Sequence, residues 1–397
     1  MHYLEFSKNF MYNYTFLAEY HKDYNSLVER RGLIIGLVTL LSIYIMIGLV
    51  GNIAIIGAIY SKKMLWKPLN IFIINLSLAD LIEVTLISAT SITGLTIGHQ
   101  VFLQNHVLCS VIANVCVTSC LASILTHTTI AITRYLSTRY HATFIDTAKW
   151  KSTSITCILI WIIAFVLQSP PNVGWGRNVF DLKAMICIWD RTYSIGYTLY
   201  FCIVYVFAPM TTIFFFYVML FLHFRKIRGN LKIRKDHHHQ HHKNDEDKNS
   251  NDEMLLTKRT KHAYFKVRAS MSQRRWKQEF KLARTLFAHF SLVFLLWGQY
   301  ALVMISDYRN ELPATVHAST VQIAHSIAVL NVFIYISNSL FRSGMIEFLI
   351  RKPIKLILAG MGIEQKDVPI KISLQTFESS TKTRGEGLTE PSYQSSL

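Results

Sequence analysis

The sequence predicts an all-α membrane protein, a seven-transmembrane helix bundle with a short amphipathic helix after the seventh span. Its 397 residues are 51% hydrophobic and only 16% charged, and the apolar residues form seven runs with few charges inside. About 20 apolar residues span a bilayer as a helix, because hydrocarbon leaves the backbone no other way to satisfy its hydrogen bonds. The runs are Leu33–Tyr60, Leu69–Leu95, Val107–Thr133, Ile155–Pro171, Thr192–Leu222, Thr285–Ser306 and Leu312–Phe341.

The net charge of +17 lies between the runs, which excludes a nucleic-acid binder. Segment Arg225–Arg284 alone holds eighteen Lys and Arg against seven Asp and Glu, whereas His99–His106 has none of the four. The positive-inside rule then places the N-terminus outside the cell and the C-terminus in the cytoplasm. We expect a multi-pass protein of the plasma membrane whose basic residues meet anionic lipid headgroups.

The N-terminal segment 1–32 shows no cleavable signal peptide, so the first span would serve as its own signal. Asn13-Tyr14-Thr15 is a glycosylation sequon on the predicted outer side. The predicted organisation is an extracellular N-terminus (1–32), a seven-span domain (33–340) with a disordered cytoplasmic loop at about 226–276, an amphipathic helix (341–352) and a cytoplasmic tail (353–397).

Asp80 lies in the middle of the second run, where a carboxylate is costly and by default marks a functional site. Asn52, Ser123 and Asn331 lie at depths from which they could surround it. A structural hydrogen-bond cluster and a sodium site at Asp80 are both open interpretations.

Cysteine placement predicts one disulfide. Of the six cysteines, only Cys109 and Cys187 fall at predicted extracellular positions, in a compartment that permits oxidation. The other four, at 116, 120, 157 and 202, are expected to be buried thiols.

Three further segments have distinct compositions. The histidine-rich stretch 237–243 could hold a metal, but a disordered linker is favoured because nothing fixes a ligand geometry. Phe341, Met345, Phe348 and Leu349 share one helical face, which is typical of a helix lying on the membrane. Many Ser and Thr follow Lys371, and their phosphorylation would create a signal for a basic partner.

Together these residues resemble the rhodopsin-like (class A) G-protein-coupled receptors over roughly residues 30–350. One such match is weak, but their order and spacing are highly specific. The matching features are Gly51-Asn52, the LSLAD run ending at Asp80, Cys109 with Cys187, Thr133-Arg134-Tyr135 for the usual DRY, Trp161, Pro209 with Tyr217, Trp297, and Asn331-Val332-Phe333-Ile334-Tyr335 for the usual NPxxY.

The resemblance implies a coupling switch at the cytoplasmic mouth. Arg134 would pair with Glu279 at rest and would line the cavity for a heterotrimeric G protein when the sixth span moves outward. Thr133 stands where the family has an acid that also restrains this arginine, so we expect raised basal activity. The residues that would carry coupling are Thr133, Arg134, Tyr135, Tyr217, Glu279, Asn331 and Tyr335.

Two departures bear on the ligand. His325 stands where opsins, a neighbouring branch with the melatonin receptors, carry the lysine that binds retinal. Imidazole cannot form the Schiff base, so a covalent retinal cofactor is disfavoured and no cofactor is expected. Cys116 stands where amine receptors carry an aspartate, so a monoamine ligand is disfavoured as well.

The layout of the family implies a mostly apolar, aromatic ligand pocket, and ordinary helix packing is the alternative for each aromatic residue. A small, neutral or weakly polar ligand is expected because no fixed charge appears among the residues. The predicted lining is Cys116, Cys120, Phe201, Tyr205, Trp297, Tyr300, Met304, Val321 and His325.

We therefore expect a receptor that passes an extracellular ligand signal to G proteins, with arrestin reading the Ser/Thr-rich tail. One alternative is an opsin-like receptor that binds retinoid without a covalent bond or not at all. A transporter or channel would need inverted repeats, and no internal repeat is present. An intramembrane enzyme is disfavoured because Asp80 and Glu83 have no nucleophile or second acid to join them, and so no enzymatic activity is expected.

Overall fold

The computed structural model describes residues 31–245, 280, 283–284, 286–288 and 290–355. Within them, seven helices are long and apolar enough to cross a membrane, as the sequence predicts. They are α1 (Arg31–Ser61), α2 (Ile71–Thr96, after a 3-10 turn at Pro68–Asn70), α3 (His106–Arg139), α4 (Trp150–Gln168), α5 (Ile195–Phe201, Cys202–Phe207 and Ala208–Asp245), α6 (Leu286–Ser306) and α7 (Ala314–His325 and Ile327–Ser337). Short helices at Gln100–Gln104 and His141–Thr147 flank α3.

The seven spans differ in how much of their surface is buried inside the protein. Helices α2, α3 and α7 are the most buried, whereas α1 and α4 leave most of their apolar side chains exposed, as a lipid-facing helix would. The three buried helices also carry most of the buried polar residues of the spans. Polar groups in a membrane protein face the interior of the bundle, where they can find partners.

Helix α5 contains a π-helical turn at Cys202–Phe207, just before Pro209. Proline has no N–H, and its ring excludes the carbonyl four residues earlier, so a regular α-helix cannot continue there. A π turn absorbs this local mismatch. Beyond the membrane, α5 continues to Asp245, so the start of the segment predicted to be disordered, about 226–276, is helical; 246–276 lie outside the described residues.

A β-hairpin follows α4 and covers one end of the bundle. Strand β1 (Asn178–Asp181) pairs antiparallel with β2 (Ile186–Trp189), and all four residues of β2 are buried. Cys187 of β2 is bonded to Cys109 of α3, which confirms the predicted disulfide. We call this end of the bundle the hairpin end.

After α7 the chain forms a short helix, α8 (Ser339–Ile346), which continues in a π turn. Its apolar residues do not all face lipid, contrary to the prediction. Phe341 and Met345 are buried in a cluster with Ala58 and its neighbours on α1, and Phe348 fills the space beside Gly57. The face packs on the protein because α1 offers small residues there. The bundle with α8 as far as Leu349 is one compact unit, and the chain from Ile350 belongs to a second.

Candidate functional site

A cavity lies beneath the hairpin among the helices, and six of the nine predicted pocket residues line it. Strand β2 also forms part of its wall, a contribution that the sequence did not predict. The predicted residues on the wall are Cys116, Cys120, Phe201, Trp297, Tyr300 and His325; the others are Ile87, Val117 and the β2 residues Ile186, Cys187, Ile188 and Trp189.

The remaining three predicted residues are buried but do not line this cavity. The Tyr205 hydroxyl donates a hydrogen bond to the Leu167 carbonyl of α4 at 2.6 Å. The prediction assumed a regular helix, whereas Tyr205 lies in the π turn, which changes the direction of its side chain. Met304 and Val321 are buried in the same apolar cluster as Ile186 and other β2 residues, so packing holds them rather than a ligand space.

Strand β2 closes the cavity with an aromatic side chain. The Trp189 ring stacks on Phe201 with ring centroids 3.7 Å apart, and its edge meets Tyr300 at 6.4 Å. The sequence signal that could have revealed this lid is the apolar tetrapeptide around Cys187, which has no polar residue to face water.

Three cavity residues carry hydrogen-bond donors without a partner among the described residues. They are the indole N–H groups of Trp189 and Trp297 and the hydroxyl of Tyr300, all buried. An unpaired buried donor costs free energy, and native proteins leave few of them. Three around one cavity indicate a site that a ligand with acceptor atoms would complete.

A buried carboxylate that was not among the predicted pocket residues joins the cavity wall through His325. Oε1 of Glu83, on α2, is 2.7 Å from Nδ1 of His325. The same ring nitrogen is 3.9 Å from Sγ of Cys120. The sequence contained the signal, because Glu83 follows Asp80 by three residues and so lies on the same face of α2.

The polar cluster around Asp80 forms with two of its three predicted members. Asp80 accepts hydrogen bonds from Nδ2 of Asn331 at 2.6 Å and from the Ser123 hydroxyl at 3.3 Å. Asn52 instead donates to the backbone carbonyls of Gly48 and Ala328. Asn52 reaches the carbonyl of Ala328 because its side chain faces α7. The distance between Asn52 and Asp80 could not be read from the sequence.

A second polar network ties the hairpin to the α6–α7 turn. The guanidinium of Arg191 donates to Asp181 at 3.3 Å and to Nδ1 of His317 at 3.0 Å, and it also donates to Asn310. Because Nδ1 accepts from arginine, Nε2 of His317 carries the proton and donates to Asp307 at 2.7 Å. None of these five side chains is among the functional residues that the sequence predicted.

Asp307 lies in the turn after α6 and anchors this network. Burial by itself would raise the pKa of its carboxyl, but hydrogen bonds from the backbone N–H groups of Leu312 and Glu311 and from His317 hold the pKa below its usual value. Asp307 therefore stays ionised at neutral pH. Its negative charge lies 3.8 Å from the Arg191 guanidinium.

At the opposite end of the bundle, which we call the Arg134 end, the described residues form no such network. Thr133 donates only to the backbone carbonyls of Thr129 and Ile130, at 2.8 and 3.0 Å, and so does not hold Arg134. Among the described residues no carboxylate forms an ion pair with Arg134. Its predicted partner, Glu279, lies outside the described residues, as does the sequon at Asn13.

The remaining residues predicted for coupling divide between a second cavity and a contact with α5. Tyr217 and Tyr335 line a second cavity, together with Asn331. Tyr135 instead faces α5, where its ring lies 5.7 Å from that of Phe216. Two tyrosines on different helices thus border one space between the middle of the bundle and its Arg134 end.

Two residues within the spans, Gln299 of α6 and Val332 of α7, make specific contacts between helices. Gln299 of α6 donates through Nε2 to the carbonyl of Leu296 and to that of Thr320 on α7, both at 3.0 Å. Val332 of α7 packs so closely on Gly51 that any Cβ at that position would overlap it. Glycine at position 51 is therefore required by Val332, which stands at the proline position of the usual NPxxY motif.

Seven apolar helices, a disulfide from α3 to a buried hairpin, and a cavity beneath that hairpin define a membrane receptor of the seven-helix class. A model of the rhodopsin family of seven-transmembrane receptors matches residues 51–337. The chain belongs to this family, the rhodopsin-like (class A) G-protein-coupled receptors. It is a multi-pass membrane protein of a family of receptors, not of enzymes, and the family signals through G proteins.

Curated relatives are similar over different shares of the chain. Melanopsin-B of Xenopus laevis is 26% identical over 325 residues, covering 78% of this chain and 55% of the relative. The 5-hydroxytryptamine receptor 7 of Xenopus laevis is 29% identical over 191 residues, covering 48% of this chain and 43% of the relative. The chain thus spans about half the length of these relatives.

The crystal structure of squid rhodopsin has the same fold. It superposes with a TM-score of 0.62 at 19% sequence identity, covering 85% of this chain and 93% of the other. At this identity the likeness concerns the fold. The match confirms the predicted fold class.

Proposed function

We propose that this protein is a plasma-membrane receptor whose hairpin end faces outward and whose ligand is a small, uncharged molecule with hydrogen-bond acceptor atoms. The observation that carries the proposal is the cavity under β2, with unpaired donors on Trp189, Trp297 and Tyr300. An acceptor on the ligand would pair with these donors without the cost of burying a charge.

The chemistry of the cavity wall disfavours two classes of ligand, amines and covalently bound retinal. Cys116 lies on the wall at the position where amine receptors have a carboxylate, so an ammonium group would find no anchor there. His325, also on the wall, cannot form a Schiff base.

Ligand binding would be transmitted from Trp297 toward the second cavity and Arg134. A heterotrimeric G protein is the partner at that end, with arrestin reading the phosphorylated tail and lipid contacting the exposed side of α8. The tail lies outside the described residues. The transporter or channel alternative finds no support in the family.

The test is a second-messenger screen in transfected cells against libraries of neutral and cationic small molecules. Arg134→Ala serves as the coupling control, with surface expression measured for each variant. We expect neutral ligands to produce a signal that Arg134→Ala abolishes. Cys116→Asp should create a response to amines where the parent receptor has none. A signal that persists in Arg134→Ala would contradict the coupling mechanism.

A non-covalent retinoid is the second candidate, favoured by the similarity to melanopsin-B over most of the chain. The purified receptor would be incubated with retinal and treated with borohydride. The parent should yield no covalent adduct, whereas His325→Lys should yield one if the cavity admits a retinoid. Absence of an adduct in the lysine variant, together with no spectral change in the parent, would exclude this candidate.

A further inference from the structure

The cluster of Glu83, Cys120 and His325 combines three different metal-binding side chains at the wall of the cavity. They come from α2, α3 and α7, the three most buried spans. One ligand atom from each, a carboxylate oxygen, a thiol sulfur and an imidazole nitrogen, lies within 4.8 Å of the other two. All three residues are buried.

The separations between these atoms suit a tetrahedral ion. The oxygen and nitrogen are 2.7 Å apart and the sulfur and nitrogen are 3.9 Å apart. Zinc binds such atoms at about 2.0–2.3 Å, which places neighbouring ligands of a tetrahedron about 3.3–3.7 Å apart. Shifts of about 1 Å or less would bring all three ligands to that geometry.

The second carboxylate oxygen of Glu83 supplies an independent observation. Oε2 is buried and has no hydrogen-bond partner among the described residues. A buried acceptor without a donor is costly and calls for an explanation, such as an ion. Asp80, one turn away on α2, is a second buried acid, and the only basic group bonded to Glu83 in the described structure is His325.

Charge balance favours a divalent ion. A metal-bound cysteine is a thiolate, so Glu83 and Cys120 would supply two negative charges and neutral His325 none. A dication would thus be neutralised within the cluster, which removes the penalty of burying a charge in the membrane. Thiolate, imidazole and carboxylate together are ligands typical of zinc.

We propose that Glu83, Cys120 and His325 form a zinc site at the wall of the ligand cavity. Binding would release the thiol proton of Cys120 to solvent, and His325 would carry its proton on Nε2 so that Nδ1 can bind the ion. The fourth position of the ion is left to water or to a group of the cavity ligand. Because the His325 ring lies edge-on to Trp297 at 5.4 Å, the ion would connect three helices beside this tryptophan.

The test measures metal binding by the full-length receptor in lipid nanodiscs. The histidines of 237–242 are replaced by glutamine in every sample and no polyhistidine tag is used, because either would bind zinc. Zn²⁺ titration gives stoichiometry and affinity, and Co²⁺ gives an absorption band that reports thiolate coordination. Cys120→Ser and Glu83→Gln are the site variants. Cys116→Ser is the matched control, since it removes another buried thiol from the same cavity.

We expect one tightly bound Zn²⁺, weakened at least about tenfold by either site variant, because even changes outside the ligand set cost 10–100-fold. Cys116→Ser should retain the affinity and the cobalt–thiolate band. The melting transition of metal-free samples verifies that each variant is folded. If Cys120→Ser does not fold, the zinc affinity of Glu83→Gln and the cobalt spectrum of the parent receptor decide the test. No saturable zinc binding, no thiolate band in the parent, or equal loss in Cys116→Ser would overturn the site. Signalling is not part of the readout, so failure here leaves the proposed receptor function untouched.

Discussion

Among the described residues, the two ends of the bundle differ in the contacts that stabilise them. At the hairpin end, a disulfide joins α3 to β2, and Arg191 lies among Asp181, Asp307 and His317. At the Arg134 end, Thr133 bonds only to its own helix. Near that end, Lys62 and Glu347 form an ion pair at 3.7 Å, which is partly exposed and so contributes little.

This difference indicates which end moves. Elements that change position in a conformational switch come from the less stable parts of a protein. A rigid hairpin end would keep the cavity formed, while the Arg134 end could open for a G protein at a small cost in free energy. Four sets of substitutions test this difference between the two ends, in order of decreasing expected effect.

Arg191→Ala should destabilise the receptor most. It leaves the buried carboxylates of Asp181 and Asp307 without their cation, which costs about 3–5 kcal/mol. The measurement is the melting temperature of purified receptor together with surface expression. Lys62→Ala is the control, because Lys62 and Glu347 are both partly exposed in their pair and the variant should lose less than about 1 kcal/mol. Equal losses would contradict the importance of the buried network.

The double variant Cys109→Ser/Cys187→Ser should come next. Removing a native disulfide costs about 2–5 kcal/mol, chiefly because the unfolded chain gains freedom. We expect a lower melting temperature and weaker ligand response, since β2 lines the cavity. Cys157→Ala, which leaves the disulfide intact, is the control. A double variant as stable as that control would show that the helices alone position the hairpin.

Thr133→Asp should restrain the other end. A carboxylate beside Arg134 would form a charge-assisted bond worth about 1–3 kcal/mol and should lower basal second-messenger production roughly tenfold. Thr133→Asn controls for side-chain shape without charge. Basal signalling that stays at the parent level in Thr133→Asp, at equal surface expression, would refute the idea that this arginine is under-restrained.

Gln299→Leu should have the smallest effect. It keeps the side-chain size but removes the bond from α6 to the Thr320 carbonyl, at a cost of about 0.5–1.5 kcal/mol. We expect a small drop in melting temperature and a rise in basal signalling, because α6 is freed from α7. Ser306→Ala, which removes a bond within α6 only, is the control. Identical behaviour of the two variants would mean that Gln299 does not tether the helices.

The lowered pKa of Asp307 determines the pH range over which its negative charge stabilises the hairpin network. Its pKa is lower in the folded protein than the usual 3.8, so the stabilisation from its charged form is fully present above pH 4. That stabilisation is lost only as the pH falls through the lowered value. Asp307 therefore contributes no change in stability between neutral pH and mild acid.

The sequence by itself determined the seven spans, the order of the family motifs and the disulfide. Each of these depends on local composition: length and hydropathy define a membrane helix, and only two cysteines fall outside the spans on one side. Six of nine pocket residues could also be placed, because the resemblance to the family implies which positions face the pocket.

The tertiary structure alone decided what the helical repeat cannot encode. The π turn before Pro209 redirected Tyr205 toward α4. Strand β2 closed the cavity with Trp189, and α8 packed against α1 instead of lying wholly on lipid. Above all, Glu83, Cys120 and His325 are 37 to 242 residues apart in the chain, and only packing of three helices brings their ligand atoms together. Contacts between distant segments depend on how the faces of the helices fit, which no single stretch of sequence specifies.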